Sequence, residues 1–346
     1  MRQQIRQKNM SILHKTRRAL KHLIFGETAL PEEFTVGIVD PQTEISLWLH
    51  GMGTPVDVTS RFSTACSDPF VLCLPFEEGG APAGKDRDRL SLKFCERSGQ
   101  KRVLGEIGLT WKETIPAAGS EFFLFVPRYA KNYCLPKLQL YAQYGLHAYK
   151  QWTTVNTSGV TMSFLHRRAA MVSFIRPHPV MLGSIQDELG GNIFPMNIMG
   201  DLGNGRVGFA LKDSRRAAHL VERTGRIALS SVPLSHSSVA FKFAAHHFKQ
   251  SIDWNELPFA TKPSSMFHIP VPVFASRVRE LEVEKIHKIG SHTFFVARIL
   301  SDEHLSDAPG LNVIHGYYQA WRLRGRPAEL KAARAQDSFN KHGHYE

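Results

Sequence analysis

Apolar residues in this chain fall in short runs and alternations rather than long helical stripes. Phe34 to Val39 and Ile45 to Leu49 flank a polar turn at Asp40, Pro41 and Thr43, a pattern that predicts a β-hairpin. Phe70 to Phe76 and Phe122 to Val126 are continuous apolar runs suited to buried strands. Between them, Gly79 to Arg89 gathers glycine, proline and charge and predicts an exposed loop. Leu138, Tyr141, Gly145 and Tyr149 recur at helical spacing within Leu138 to Trp152. The loop signal from Asn156 to Gly159 places a domain boundary near residue 160.

The second half is strand-rich. Val172 to Ile175 and Pro179 to Ile185 read as strands, ending at the turn Asp187 to Gly191. Asn192 to Gly200 reads as extended, Val207 to Leu211 as a strand, and Arg215 to Thr224 as a helix closed by Gly225. Ile227 to Val232, Arg279 to Val283 and His292 to Leu300 follow as strands. With one or two interleaved helices, a mainly β fold built on an antiparallel barrel fits better than a parallel α/β sheet.

Gly203-Asn-Gly-Arg-Val-Gly208 matches the dinucleotide fingerprint in letters only. That motif needs a helix to start on the glycines, whereas Asn204-Gly205 is a hairpin dipeptide leading into a strand.

Composition narrows the class. The 346 residues are 42% hydrophobic and 21% charged, which excludes a disordered chain and predicts two domains. The longest clean apolar stretches fall far short of the ~20 residues a membrane span needs. Cys66, Cys73, Cys95 and Cys134 fit no zinc or thiol-redox spacing, so small core residues in a reduced, cytoplasmic protein are expected. Net charge is +12, and part of the excess sits at the ends. Arg2, Arg6, Lys8, Lys15, Arg17, Arg18 and Lys21 precede the first acid, Glu27. Solvated basic termini account for this, and nucleic acid is not the expected partner. Leu13, Leu20 and Ile24 share a helical face, which leaves both a docking helix and a transit-peptide composition open.

Neither His246-His247 nor His342-x-His344 is expected to make a metal site, because adjacent side chains are expected to point two ways and the second pair lies near the end of the tail. Ser230, Ser231, Ser235 and Ser237 lack a nucleophile elbow. No metal and no serine hydrolysis are expected.

From about Val172 to Leu323 the order of features resembles the flavin reductase-like family, the FMN-binding split barrels. The residues that carry the resemblance are Arg176-Pro-His-Pro-Val-Met-Leu182, Asp187-Glu-Leu-Gly-Gly191, Asn192-Ile-Phe-Pro-Met-Asn197, Lys212-Asp-Ser-Arg-Arg216 and Gly290-Ser-His-Thr-Phe-Phe-Val296. The resemblance implies a split β-barrel over 161–325, between a basic segment 1–30 with an N-terminal domain 31–160 and a basic tail 326–346. It implies FMN held by Asn192, Phe194, Pro195, Met196 and Asn197 along the isoalloxazine. Lys212, Ser214, Arg215 and Arg216 stand at the phosphate, where a helix start and cations suit an anion. His292 falls near the flavin's reacting edge or the nicotinamide. NAD(P)H is then the hydride donor, and onward transfer goes to a partner oxygenase or a small acceptor. Two alternatives stay open: a flavin enzyme acting on its own substrate, and a non-catalytic flavin- or partner-binding module.

One departure matters. Ile198 to Arg206 carries no hydroxyl where many relatives are serine-rich. A similar stretch, Thr59 to Cys73 with Asp68-Pro69, stands in the first half instead. The first half is therefore read as a diverged second split barrel. A homodimer and an internal pseudo-dimer both stay open; the pseudo-dimer would set Ser63 to Ser67 facing the second barrel.

Overall fold

The computed structural model describes residues 33–324 except 83, 85, 98, 99, 118 and 154–161. The expected N-terminal basic helix, the boundary near 160, and the tail with His342 and His344 lie outside the described residues.

The strands are β1 (Glu33–Ile38), β2 (Ile45–His50), β3 (Val56–Asp57), β4 (Ser63–Ser67), β5 (Phe70–Glu77), β6 (Ser91–Glu96), β7 (Val103–Ala117) and β8 (Ser120–Asn132). They continue with β9 (His178–Pro179), β10 (Met181–Asp187), β11 (Gly190–Met196), β12 (Met199–Gly203), β13 (Arg206–Lys212) and β14 (Arg226–Ser231). β15 (Thr261–Pro263), β16 (Pro270–Pro272), β17 (Arg277–Ile289), β18 (His292–His304) and β19 (Gly310–His315) complete the set.

Two antiparallel seven-stranded sheets dominate. One runs β3-β2-β6-β7-β8-β5-β4 and the other β11-β10-β14-β17-β18-β13-β12. Numbered by appearance within each sheet, both read 2-1-5-6-7-4-3. The fold is thus mainly β, of split-barrel type, with two barrels in tandem.

The continuous apolar runs follow from where the strands sit. Side chains alternate across a strand, so a strand buried on both faces shows no polar positions. In β5, Phe70, Leu72 and Leu74 enter the first barrel's core, while Val71 and Cys73 point the other way. β8 sends Phe123 and Phe125 inward and Phe122 and Leu124 outward. β18 repeats the pattern, with Phe295 and Ala297 in the second core and Phe294 and Val296 outside it. The outward sets meet in one apolar layer with Ala65, Cys66, Leu202, Ala210 and Ile289. That layer joins the barrels, and each large side chain fully buried there is worth about 1.5–3 kcal/mol.

Polar contacts stitch the same seam. Phe62 N donates to Asp201 O at 2.9 Å, Ser63 Oγ to Gly208 O at 3.0 Å, and Ser291 N to Asp68 O at 2.8 Å. β4 therefore faces the second barrel.

Two local expectations are corrected. Phe34 to Val39 does not pair with Ile45 to Leu49: β1 pairs with β19, from Glu33 with His315 to Ile38 with Gly310. The Asp40 side chain accepts from Gln42 N, capping a short 3-10 turn that redirects the chain, and β2 pairs with β3 and β6 instead. Val172 and Ser173 end the helix Phe164–Ser173, whose start Ser163 caps; packing of Ala169, Met171 and Val172 overrides their strand signal. Glycines 203 and 205 and Asn204 have φ of +74°, +68° and +50°, the tight turn between β12 and β13. Gly225 closes the helix Arg216–Thr224 in the left-handed region at φ +64°.

Candidate functional site

A cleft of about 160 Å³ opens where β11 hands over to β12. Its walls are Pro195 to Ile198, Ala210 to Lys212 at the end of β13, Arg215, His247, and His292 at the start of β18. Four segments separated in sequence converge here, and β13 pairs with β18 so that Lys212 lies opposite His292.

The cations are arranged at one end. Arg215 stands at the N-cap position of the helix Arg216–Thr224, and no side chain caps that helix start. Its Cζ lies 3.5 Å from the centroid of Phe248, and its buried Nη1 has no hydrogen-bond partner. A buried guanidinium N–H without an acceptor is costly, and an oxyanion at the helix start would relieve it. Burial lowers the pKa of both Lys212 and Arg215, and the Arg215 charge adds to the effect on Lys212.

His292 is buried and its pKa is pulled down to about 4, first by burial and then by the Lys212 charge, against Asp68 and Asp213. The imidazole is therefore neutral at neutral pH. Its Nδ1 lies 2.9 Å from Ser291 Oγ and 3.6 Å from Cys66 Sγ, and its Nε2 lies 3.5 Å from Ser67 Oγ. The first barrel thus places the Ser67 hydroxyl beside the His292 ring.

The other residues read from the sequence are placed as follows. Pro195, Met196, Asn197, Lys212, Arg215 and His292 come together in the cleft. Asn192 does not: it is buried, and its Nδ2 donates to His246 O and Lys249 O at 2.9 and 2.8 Å. Phe194 belongs to the second barrel's core, 4.9 Å from the His247 ring. Ser214 and Arg216 are exposed and outside the cleft walls.

Sequence reasoning missed His247, whose Nε2 sits 2.6 Å from Pro195 O. His246 Nδ1 likewise meets Ile193 O at 2.9 Å, so both histidines brace β11. No sequence signal marks this, because the loop returns to β11 only through tertiary packing. Among the described residues no cluster of three metal-ligating side chains occurs.

A second cavity of about 390 Å³ adjoins the first and shares Asn197 and Ile198 with it. Thr64, Ser67 and Phe70 of the first barrel form one side, and Arg167, Met171, Phe174 and His178 another. Phe174 and His178 stack at 4.3 Å, and burial with the Arg176 charge pulls the His178 pKa to about 4.

The chain is similar to solved flavin reductases and FMN-binding proteins. An FMN-binding protein from Thermus thermophilus, solved with p-hydroxybenzaldehyde, is 20% identical over 40% of this chain and 82% of its own, with a TM-score of 0.35. The styrene monooxygenase flavin reductase of Pseudomonas putida S12 is 22% identical, covering 43% and 93%, at 0.34. The flavin reductase component of a bacterial two-component tryptophan halogenase is 15% identical, covering 44% and 94%, at 0.39. No protein-family model and no curated protein matches the chain.

Proposed function

We propose that this chain is a flavin-binding oxidoreductase of the flavin reductase type, with FMN in the cleft beside Asn197 and a nicotinamide nucleotide as hydride donor. The observation that carries the reading is the unpartnered Arg215 Nη1 beside Lys212 and an uncapped helix start, facing a neutral imidazole across an extended segment. These residues fit a phosphorylated ring system.

Lys212, Arg215 and the first amides of the helix Arg216–Thr224 hold the phosphate. The Asn197 side-chain amide both donates and accepts, so it can read the polar edge of the ring. Alone, the smaller cleft is below the ~300 Å³ at which ligand pockets of this kind begin. Together with the adjoining cavity it provides the room, and Thr64, Ser67 and Phe70 then form the far wall. In this arrangement the two barrels act as an internal pseudo-dimer. Bound FMN supplies the hydride-accepting chemistry. His292 offers an uncharged hydrogen-bonding nitrogen and moves no proton at neutral pH. Rate then comes from holding donor and acceptor in register. Onward transfer goes to a partner oxygenase or a small acceptor.

Titration of FMN with the full chain tests the reading. Flavin fluorescence should quench, and NAD(P)H oxidation should rise with added FMN. Arg215→Met should weaken FMN binding about tenfold or more, the worth of a charge-assisted hydrogen bond, with unchanged circular dichroism. Absence of quenching by the intact chain overturns the proposal. The small cleft and the hydroxyl-free segment 198–206 favour a second reading, a binding module without turnover. Quenching without NAD(P)H oxidation would select it.

A further inference from the structure

The helix Lys137–Thr153 is apolar on two opposite faces. Leu140, Gln143, Tyr144 and His147 are buried, with Tyr144 6.1 Å from the Tyr317 ring. At 100° per residue, Leu138, Tyr141, Gly145, Tyr149 and Trp152 fall on the opposite side. There Trp152 is 84% exposed, Tyr141 and Leu138 66% each, and Tyr149 60%. Phe164 and Tyr133 extend the patch and are also exposed. Five exposed aromatic rings and a leucine make an apolar area on the order of 500 Å², the scale at which such patches mark an interaction.

The chain segment that carries the patch is basic. Residues 122–186 contain no aspartate or glutamate, yet carry Lys131, Lys137, Arg167 and Arg168. Lys131 and Lys137 are exposed beside the rings. Glu106 is mostly buried, accepts from Tyr129 Oη at 2.7 Å and from Tyr133 Oη at 3.4 Å, and lies 3.9 Å from Lys131.

We infer that this face docks on an anionic phospholipid surface. Tyrosine and tryptophan place an apolar ring body and a polar tip at the level of lipid headgroups, and flanking lysines meet the lipid phosphates. A second copy of the chain would set like charges against each other on this face. So would the chain's own segment before Glu27, whose ionic side chains are all basic. The inference is independent of the flavin reading.

The test is sedimentation of the full chain with phosphatidylcholine vesicles, and with vesicles of phosphatidylcholine and phosphatidylglycerol. Binding should occur on the mixed vesicles only, and should weaken as salt rises. The double variant Tyr149→Ser, Trp152→Ser should lower the partition coefficient about tenfold or more, since it removes two exposed rings from the contact. That variant keeps every basic residue, so unchanged binding would mean that charge elsewhere does the work, and the proposal would fall. Failure of the intact chain to bind mixed vesicles would also overturn it. So would concentration-dependent dimerisation lost in the variant, which would assign the face to self-association. Circular dichroism of the variant checks that the helix is intact.

Discussion

Gly200 is a point of close backbone approach between the two barrels, and replacing it with alanine tests the seam. A Cβ at this position would lie 2.0 Å from Phe62 O and 3.0 Å from Phe62 C and Ser63 Cα, where ordinary contact begins near 3.4 Å. The obstructing atoms are backbone, so no side-chain rotation relieves the clash. β4 would have to withdraw by roughly an ångström or more, and the Phe62 N to Asp201 O and Ser63 Oγ to Gly208 O bonds would stretch with it. Overpacking at 1–3 kcal/mol and two weakened hydrogen bonds at about 1 kcal/mol each give an expected loss of about 3–5 kcal/mol. Gly205→Ala is the internal control. Gly205 has φ +68° with nothing within 4 Å of its Cβ, so only backbone strain of about 1 kcal/mol applies. Urea unfolding followed by tryptophan fluorescence and far-ultraviolet circular dichroism measures both. A Gly200→Ala chain no less stable than the Gly205→Ala chain would refute the packed seam.

Three further outcomes are expected. His178 and His292 both titrate near pH 4 when folded and 6.5 when unfolded, so the unfolded chain binds more protons between those values. Stability is then full above pH 6.5 and falls toward pH 4 by up to about 3 kcal/mol per histidine; denaturation midpoints across that range should flatten in His178→Gln. Glu280 is buried, and its carboxylate accepts from Ser264 Oγ, Ser265 Oγ, Met266 N and Phe267 N at 2.6 to 2.8 Å. Those bonds hold its pKa down despite burial, so Glu280→Gln should cost about 3 kcal/mol in urea unfolding by turning an acceptor into a donor. Arg322→Met should cost about 3–5 kcal/mol in the same assay, because buried Arg322 Nη2 reaches Glu44 Oε1 at 2.7 Å and ties the last described helix to the start of β2.

Much of the fold was legible where burial leaves a local signature. Phe70 to Phe76 and Phe122 to Val126 announced strands covered on both faces, and the Asn204-Gly205 turn excluded the dinucleotide motif. Long-range pairing was not legible. Nothing near Phe34 to Val39 signals that its partner lies at Gly310 to His315, and a hairpin was the natural local reading. The helical spacing of Leu138 to Trp152 was read correctly as a helix, but spacing alone does not tell which of two apolar faces is buried. At the cleft, Asn197, Lys212, Arg215 and His292, which the family resemblance named, line one cavity because β11 and β13 end and β18 begins there. Asn192 looked equivalent to Asn197, yet the returning loop at His246 and Lys249 takes up its amide. Its use is fixed by a segment more than fifty residues away.

The covalent joining of two sheets with the same strand order has a consequence for symmetry. In a pair of identical subunits every substitution appears twice, once on each side of the axis. In this chain Ser67 occurs once, opposite His292, and its counterpart position on the other copy is free to hold something else. Each flank of the cleft can therefore change without its mirror image changing with it.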